Sequence, residues 1–236
     1  MQAVRDTRVA IVLAGGGATR LGAAAQESPG GKAALQLDGR PFLAHVVAAV
    51  AGEVGRTLVV AAPGQALPAV EGMEIVRDTR AAAGPLAGLA DGLRAAVAAG
   101  GPTAAPRVAF VASCDAPLVR RDVVRMLLER AAGGHARWTV PVVGGRRQVL
   151  TSVLRIDMLP RIEAWMAGGR RDLRGLFAAV AAEDPGSVEE VSEDVVAAVD
   201  PTLASFLDVD TPDDLRRLHA LAAHMTADIR LRGPGE

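Results

Sequence analysis

Short apolar runs alternate with amphipathic segments along most of the chain, and each pattern predicts a different element. The apolar runs predict buried strands at residues 9–13, 58–62, 73–76, 108–112 and 138–143, a returning strand at 149–155 and a short strand at 33–37. Apolar residues at helical spacing predict helices at residues 42–51, 85–99, 121–130, 157–167 and 173–182. Strands that alternate with helices predict a doubly wound α/β fold, whose mostly parallel sheet carries helices on both faces.

The length suits one domain. Half of the 236 residues are apolar, which is enough for a single well-buried core over residues 1–236. Residues 189–194 form an acidic run, which indicates a solvated surface. From about residue 223 the chain is polar, and we expect this tail to fray.

The segment at residues 206–215 combines a predicted strand with a helix start. Strand alternation would place Asp208 and Asp210 on one face of the chain. Thr211 then caps a helix, with Asp214 in the capping-box position. This segment therefore presents two carboxylates next to a helix amino terminus.

The first predicted strand runs directly into three successive glycines, Gly15, Gly16 and Gly17, and two cations follow at Arg20 and Lys32. Because glycine has no Cβ and adopts positive φ, the backbone N–H groups of such a loop can converge on one anion. Arg20 and Lys32 would flank that anion with positive charge. The stretch predicts a cradle for phosphate groups.

Lys32 is the only lysine among 26 basic side chains. A compact ammonium can bridge phosphate oxygens where a planar guanidinium does not fit, so lysine at this place favours a functional role over chance.

The sequence does not match either of two well-known glycine-loop motifs. A dinucleotide fingerprint needs glycine or alanine where Arg20 stands, and a P-loop needs glycine at Gln26 and serine or threonine at Ala33.

Two aspartates directly follow predicted strands. Asp78 comes after the strand at residues 73–76, and Asp115 comes after the strand at residues 108–112. Ligands of open parallel sheets lie outside the carboxyl ends of the strands, so both side chains would face the crevice of the glycine loop. Asp115 is a natural Mg²⁺ ligand, because Mg²⁺ takes few protein oxygens and completes its shell with water and phosphate. For Asp78 a helix cap or turn is an equal alternative.

Composition and charge exclude several function classes. A net charge of −1, four phenylalanines, two tryptophans and no tyrosine provide neither a basic field nor a stacking surface for nucleic acid. No apolar run of about 18 residues could span a bilayer, and no signal segment is present. The single cysteine, Cys114, cannot form an internal disulfide, and we interpret it as a packing residue. The four histidines lack metal-ligand spacing. We expect a cytoplasmic protein with no nucleic-acid and no membrane partner.

Four motifs carry a resemblance to a known family, and they occur in family order. The motifs are Leu13-Ala14-Gly15-Gly16 followed by Arg20, Gly22 and Lys32; Gly84-Pro85-Leu86-Ala87-Gly88; Cys114-Asp115 with Pro117; and Asp208-Val209-Asp210-Thr211-Pro212. On these residues the chain resembles the nucleotidyltransferases, most closely the molybdenum cofactor guanylyltransferases. It departs from them in a longer loop at residues 23–31, which we expect to be mobile without ligand. It also carries aspartates at positions 208 and 210, where the family more often has asparagine.

The resemblance implies a Rossmann-like nucleotidyltransferase fold and a reaction. The reaction is transfer of GMP from GTP to the phosphate of Mo-molybdopterin, with release of pyrophosphate. It implies that Lys32 and Arg20 act on the triphosphate. It also implies that Asp115 holds Mg²⁺, with Asp210 or Asp208 as a second metal contact.

The resemblance also implies binding residues and partners. The residues that match nucleotide contacts are Leu13, Ala14, Gly15, Gly16, Gly17, Lys32, Asp78, Gly84, Pro85, Leu86 and Asp115. Arg146, Arg147 and Gln148 fall where the family faces its pterin substrate, although an exposed turn is an equal alternative. Arg170 and Arg171 match a less specific Gly-x-Arg-Arg segment. The implied partners are GTP, a molybdopterin-type phosphate acceptor and molybdoenzyme maturation proteins.

Two alternatives stay open. A related cytidylyl- or sugar-phosphate nucleotidyltransferase could share the loop, although cytidylyl relatives tend to have Ala-Ala-Gly where this chain has Ala14-Gly15-Gly16. A non-catalytic nucleotide-binding adaptor is the second alternative, and the presence of Lys32 and Asp115 speaks against it.

Overall fold

A computed structural model of the protein describes residues 2–15, 21, 30–79, 84–98 and 106–232, with the backbone alone at residues 2 and 225–232. The strands among these residues are β1 (Arg8–Leu13), β2 (Gln36–Leu37), β3 (Arg40–Pro41), β4 (Arg56–Ala61), β5 (Glu74–Arg77), β6 (Val108–Ser113), β7 (Trp138–Val143), β8 (Arg146–Arg147), β9 (Ser152–Arg155) and β10 (Val188–Val191). The α-helices are α1 (Gln2–Asp6), α2 (Phe42–Ala51), α3 (Pro85–Ala98), α4 (Arg121–Gly133), α5 (Leu159–Ala167), α6 (Leu173–Glu183), α7 (Glu193–Ala197) and α8 (Pro212–Arg232).

The main sheet has the strand order β10-β7-β9-β6-β1-β4-β5, and β8 pairs with β7. β6, β1, β4 and β5 are parallel neighbours, and β10 is parallel to β7. β9 lies antiparallel between β6 and β7. The predicted doubly wound, mostly parallel α/β fold is confirmed. The returning strand predicted at residues 149–155 is present as β9, which is three residues shorter at its start.

Helices cover both faces of this sheet. β1 is buried at every residue, and its side chains alternate between the faces. Ala10 and Val12 join a core cluster with α2 and α4. Val9 and Ile11 join the opposite cluster with α3, α5 and α6. β1 is therefore the centre of both cores, and its carboxyl end is held on either side by β4 and β6.

Two predicted strands differ from the structure. Residues 31–34 form a 3-10 helix, Gly31–Ala34, and only Gln36–Leu37 pairs as a strand. The two alanines at 33 and 34 suit a helical turn better than a ladder. The predicted buried strand at residues 73–76 is β5, an exposed edge strand whose Ile75 is 48% exposed. It has a pairing partner on one side only, among the residues that the structure describes.

The acidic run at residues 189–194 lies at the surface as predicted, with Glu190, Glu193 and Asp194 exposed, but residues 188–191 also form strand β10, which was not predicted. Val191 at its end is buried, and the two glutamates are neutralised by arginines from neighbouring elements. Arg130 lies 2.6 Å from Glu189, and Arg147 lies 2.7 Å from Glu190. These ion pairs allow an acidic segment to join the sheet.

Residues 207–210 are extended but belong to no strand, which corrects the predicted strand there. The predicted alternation holds nevertheless, since Val209 is fully buried between the two aspartates. Thr211 and Asp214 form the predicted capping box, in which the Thr211 N–H donates to Asp214 Oδ2 at 2.8 Å and the Asp214 N–H donates to Thr211 Oγ1 at 3.2 Å. α8 continues to Arg232, past residue 223.

α8 packs on the segment that follows the glycine loop. Leu218 of α8 shares a small core cluster with Val209, Leu37 and Phe42. This cluster fixes the extended segment at residues 207–210 beside the 3-10 helix that carries Lys32. In the part of the chain that the structure describes, no helix is both long and apolar enough to cross a bilayer.

Candidate functional site

The site begins where β1 and β6 end side by side. Leu13 is aligned with Ser113 in the parallel register, and the Cys114 N–H donates to the Leu13 carbonyl at 3.0 Å. The chain leaving β1 enters the glycine loop, and the chain leaving β6 reaches Asp115. The structure therefore brings Ala14 and Asp115, which are far apart in sequence, to one edge of the sheet.

Lys32 connects two carboxylates at this edge. Its Nζ donates to Asp115 Oδ2 at 2.8 Å and to Asp210 Oδ1 at 2.5 Å. The side chains of Lys32 and Asp115 are only 12% and 17% exposed, whereas that of Asp210 is 50% exposed. Water screens such half-buried pairs less than surface pairs, so the ammonium is the main counter-charge of both carboxylates.

The electrostatics of Lys32 follow from these contacts. Burial alone would lower the pKa of Lys32, but the charges of Asp115 and Asp210 and the hydrogen bonds to them outweigh it and raise the pKa above its ordinary value. Lys32 therefore stays charged over the whole physiological range. It brings a fixed positive charge to the end of the glycine loop.

Asp208 is the third carboxylate at this edge. Desolvation raises the pKa of Asp208 to about 6, together with the negative charges of Asp115 and Asp210. Asp208 as a whole residue is exposed, so the repulsion between carboxylates is the contribution that carries weight here. Three carboxylates and one ammonium leave an excess of negative charge that favours a further cation.

Backbone hydrogen bonds fix the positions of these aspartates. The Val209 N–H donates to the carbonyl of Asp115 at 2.9 Å, which ties the segment before α8 to the end of β6. The Asp210 N–H donates to Asp214 Oδ2 at 3.2 Å, so the capping box also orients Asp210. The carboxylates are thus held by two elements that were predicted separately.

Gln65 connects the two ends of the glycine loop, and no sequence pattern pointed to this residue. Its Nε2 donates to the Ala14 carbonyl at 3.0 Å and to the Gly30 carbonyl at 3.1 Å. Its Oε1 accepts from the Ala62 N–H at 3.0 Å. Arg77 fixes Gln65 in turn, since Arg77 Nη1 donates to the Gln65 carbonyl at 2.8 Å. The Gln65 side chain therefore holds the two ends of the glycine loop close together.

Asp78 lies where β5 ends, beside the amino terminus of α3. Its N–H donates to the Ala61 carbonyl at 2.9 Å. A Cβ added to Gly88 would lie 3.9 Å from Asp78 Oδ2, so the carboxylate faces the first turns of this helix. The structure brings Asp78 to the same edge of the sheet as Leu13, as expected for the carboxyl ends of neighbouring parallel strands.

Asp91 is a second buried aspartate in α3, and sequence reasoning missed it. Only 5% exposed, it accepts from the Thr79 N–H at 2.8 Å and from Arg94 Nη1 at 2.6 Å. Burial alone would raise the pKa of Asp91, but hydrogen bonds from Thr79 and Asp78 and the charge of Arg94 lower it. Asp91 therefore holds the chain that leaves β5 and lies in hydrogen-bond contact with the Asp78 carboxyl.

The stretch that opens α3 offers its backbone rather than its side chains. Gly84 has φ +85°, a conformation that favours glycine, and its carbonyl accepts from the Ala87 N–H at 3.2 Å. Pro85 stands at the first helical position, where its missing N–H leaves no bond unmade. The Leu86 side chain is fully buried in the core. A ligand at this helix end would therefore meet backbone atoms and Pro85.

Cys114 is a packing residue, as predicted. It is 4% exposed, and burial raises the pKa of its thiol far above the ordinary value, together with the charge of Asp115. A neutral thiol is a poor nucleophile and a poor metal ligand. Among the described residues no group of three or more histidine, cysteine or acidic side chains has the arrangement of a metal site.

The sequence pattern of the MobA-like NTP transferase domain matches residues 10–185, most of the chain. The chain belongs to the MobA-like NTP transferase family. It is 35% identical over 208 residues to a probable molybdenum cofactor guanylyltransferase from Mycobacterium avium, a match that spans 88% of this chain and 93% of that protein. The protein is therefore a nucleotidyltransferase, and the resemblance drawn from the four motifs is confirmed.

Solved structures share the fold of this MobA-like transferase. Molybdopterin-guanine dinucleotide biosynthesis protein A from Archaeoglobus fulgidus is 20% identical with a TM-score of 0.70, over 92% of this chain and 99% of that one. The manganese complex of Rv0371c from Mycobacterium tuberculosis is 16% identical with a TM-score of 0.61, over 91% and 98% of the two chains. At these identities the likeness shows the fold alone.

Part of the predicted site of this transferase lies outside the described residues. This applies to Gly16, Gly17, Arg20 and Gly22 and to residues 23–29 of the long loop. Their roles stay predictions. Ala14 and Gly30, which are described and lie before and after this stretch, are joined by Gln65, so the chain is fixed at both places.

The hairpin of the MobA-like transferase turns at Gly144 and Gly145, which both have positive φ. Arg146 lies close enough to Asp208 for its charge to lower the pKa of that carboxyl against the other influences. The Arg147 side chain makes different contacts: it pairs with Glu190, and its guanidinium lies 5.3 Å from the centre of the Phe177 ring.

The structure also places Gln148 of the predicted acceptor region and the two arginines of the Gly-x-Arg-Arg match. Gln148 donates to the carbonyls of Val143 at 3.4 Å and Arg146 at 3.3 Å, within its own turn. Arg170 stacks 4.1 Å from the centre of the Trp165 ring. The Arg171 carbonyl lies 4.0 Å from the position of a Cβ on Gly84, which places this segment beside the start of α3.

Proposed function

We propose that this protein transfers GMP from GTP to the phosphate of Mo-molybdopterin and releases pyrophosphate. The observation that carries the proposal is the contact of Lys32 with both Asp115 and Asp210 at the end of the glycine loop. Relatives named as probable molybdenum cofactor guanylyltransferases support it, since they match along nearly their whole length.

The chemistry asks for positioning and for neutralisation of charge. An in-line attack of one phosphate oxygen on the α-phosphorus of GTP brings two anions together, and no protein nucleophile is needed. Lys32 supplies a permanent positive charge for the triphosphate, and the amides of Gly15, Gly16 and Gly17 supply hydrogen-bond donors. Arg20 adds a second cation to the same group.

The donor set suits a divalent cation. Asp115 and Asp210 already converge on one positive group, the Lys32 ammonium, and Asp208 adds a third carboxylate beside them. Hard cations such as Mg²⁺ prefer carboxylate oxygens and need only one or two from the protein. Asp115 would hold the ion, with Asp210 or Asp208 as its second contact. When bound, Mg²⁺ would offset the negative charge of the α-phosphate and of the leaving pyrophosphate.

The nucleoside would lie along the carboxyl ends of β1 and β5. Leu13, Ala14 and Gly15 present backbone groups there, and Asp78 presents a carboxylate. Guanine carries an exocyclic amino donor, which a carboxylate can accept. The backbone at Gly84 and the ring of Pro85 would close one side of the base.

The pterin acceptor would enter over the hairpin. The charge of Arg146 reaches Asp208 from the hairpin side, so a phosphate bound there would lie next to the carboxylate edge. Arg147 forms an ion pair with Glu190, so it would stabilise the hairpin and would not contact the acceptor directly. Molybdoenzyme maturation proteins would receive the product.

Calorimetric titration with GTP, CTP and ATP, each with Mg²⁺, tests the proposal. We expect GTP to bind at least tenfold more tightly than CTP, which is about 1.4 kcal/mol. A preference for CTP would favour a cytidylyltransferase instead. Absence of any nucleotide binding would favour the non-catalytic adaptor.

A further inference from the structure

Three arginines converge at the amino-terminal edge of the sheet, opposite the candidate active site. Arg8 begins β1, Arg107 precedes β6 and Arg155 ends β9. In the sheet Arg8 is aligned with Val108, and Val108 is aligned with Arg155. Aligned residues of neighbouring strands point to the same face, so Arg8 and Arg155 flank Val108 on one side of the sheet, about 10 Å apart.

Arg8 is the most buried of the three arginines. The residue is only 8% exposed. Its Nε is buried and has no hydrogen-bond partner among the residues that the structure describes. An unpaired polar atom of a buried charged group is costly, and most such atoms in folded proteins have a partner. Within the described part of the chain, the fold therefore leaves one donor of Arg8 unpaired at this edge.

The arginines line a cavity of about 690 Å³, which we call the three-arginine pocket. Small residues at the end of α4, Ala131, Ala132 and Gly134, leave the space open. Val97 and Leu159 add apolar wall, and Val97 is 42% exposed. The volume lies within the range of sites for small organic ligands.

The charge balance of the pocket is positive. Among the described residues that line it, the single acidic one is Asp157, whose Oδ2 lies 3.3 Å from Arg155 Nε. One carboxylate against three guanidiniums leaves an excess of two positive charges. The carboxyl ends of α3 and α4 also reach the pocket, but each contributes only about half a negative charge.

We propose that the three-arginine pocket binds an organic phosphate, with the phosphate between Arg8 and Arg155 and the apolar part against Val97 and Leu159. Guanidinium groups bind phosphate through paired N–H donors, and Arg8 and Arg155 both line the pocket. The apolar wall and the volume exceed what a bare phosphate ion needs. No residue of this pocket belongs to the carboxylate edge, so the site is a second one.

The pocket is preformed and physically connected to the active site. The Arg107 N–H donates to the Thr7 carbonyl at 2.7 Å, and the Ile156 N–H donates to the Arg107 carbonyl at 3.0 Å. β1 runs from Arg8 at this edge to Leu13 at the other, about 17 Å for its length. A ligand here would contact the beginnings of β1 and β6, the two strands that end at the glycine loop and at Asp115.

Binding of phenyl phosphate and of inorganic phosphate to the full chain, measured by calorimetry, tests the proposal. The variants are Arg8→Met and Arg155→Met, and the matched control is Arg161→Met, an exposed arginine of α5 that does not line the pocket. Binding of either probe at the catalytic edge would be common to all four proteins. We expect phenyl phosphate to bind at least tenfold more weakly to both pocket variants than to the wild type and the control.

Equal affinity of the four proteins for phenyl phosphate would overturn the proposal. Equal affinity of the wild type for the two probes would overturn the assignment of an organic ligand, because the apolar wall would then contribute nothing. The Arg155 side chain is 46% exposed, so Arg155→Met keeps the test decisive if Arg8→Met does not fold. Nucleotide preference at the catalytic edge is measured separately, so failure of one proposal leaves the other intact.

Discussion

Val209 donates its backbone N–H to the carbonyl oxygen of Asp115 at 2.9 Å. This bond joins the end of β6 to the chain that enters α8, and the buried Val209 side chain fixes it from below. The two carboxylates that contact Lys32 therefore belong to segments locked together by the backbone. Removal of Lys32 should change the charge of the edge without moving the aspartates far.

Lys32→Ala should lower the turnover of GTP, because it removes the cation that faces the triphosphate. We expect a loss of roughly 2–4 kcal/mol of transition-state stabilisation, as for removal of one donor from a preorganised charged site. The measurement is kcat/KM for pyrophosphate release. Lys32→Arg is the matched variant and should recover only part of the activity, since a planar guanidinium does not fit between the two carboxylates. Turnover of Lys32→Ala within a few-fold of wild type would remove Lys32 from the mechanism.

Asp115→Asn should abolish Mg²⁺-dependent activity and leave the fold intact. The backbone bond from Val209 persists in this variant, because it uses the Asp115 carbonyl and not the side chain. Activity is followed across Mg²⁺ concentrations, and circular dichroism monitors the fold. Asp213→Asn, an exposed aspartate of α8, is the control and should behave as the wild type. An active Asp115→Asn enzyme would contradict the assignment.

Asp91→Ala should raise the KM for the nucleotide more than it lowers kcat. Asp91 accepts from the N–H and the hydroxyl of Thr79, directly after Asp78, so its loss frees the chain that presents Asp78. Unfolding free energy should fall by about 1–3 kcal/mol as well, since the Thr79 donor loses its partner. Asp91→Asn keeps one acceptor oxygen and should rescue most of the KM. A pure loss of stability with unchanged KM would show that Asp91 serves only the fold.

Glu53→Gln should lower the free energy of unfolding by about 1–3 kcal/mol near neutral pH. Glu53 is buried and contacts Arg121 at 2.6 Å and Arg125 at 3.1 Å. Burial alone would raise the pKa of Glu53, but the hydrogen bonds from the two arginines outweigh it and lower the pKa. A lowered carboxyl pKa stabilises the fold above the ordinary value of about 4.3 and ceases to do so as the pH falls through the lowered pKa.

Denaturant unfolding of wild type and Glu53→Gln at several pH values gives the measurement. The difference between them should be full above about pH 5 and shrink below it. Glu74→Gln is the control, because the Glu74 side chain is 55% exposed in its pair with Arg56 and should contribute less than about 1 kcal/mol. A difference for Glu53→Gln that does not change with pH would contradict the role of the charge.

The features that could be predicted from the sequence are those that depend on residues close together in the chain. The buried strand at residues 9–13, the aspartates at strand ends and the capping box of Thr211 and Asp214 each rest on a few neighbouring residues. The lone lysine at position 32 also stood out by counting. The structure brings these features together because parallel strands end at a common edge.

Long-range pairing could not be predicted in the same way. β9 enters the sheet antiparallel between β6 and β7, and no periodicity within residues 152–155 encodes its neighbours. Gln65 and Asp91 were missed for the same reason, because their hydrogen-bond partners come close only in the folded chain. The strand inside the acidic run at residues 189–194 was missed for a similar reason, because Glu189 and Glu190 pair with Arg130 and Arg147, which are distant in sequence.

The outer strands β5 and β10 have a consequence for association between copies. Each is only four residues long, and each carries charged side chains, with glutamates at 74, 189 and 190. Short, charged edges resist the addition of a strand from another molecule. We therefore expect that any self-assembly of this protein uses helix surfaces and does not extend the sheet from molecule to molecule.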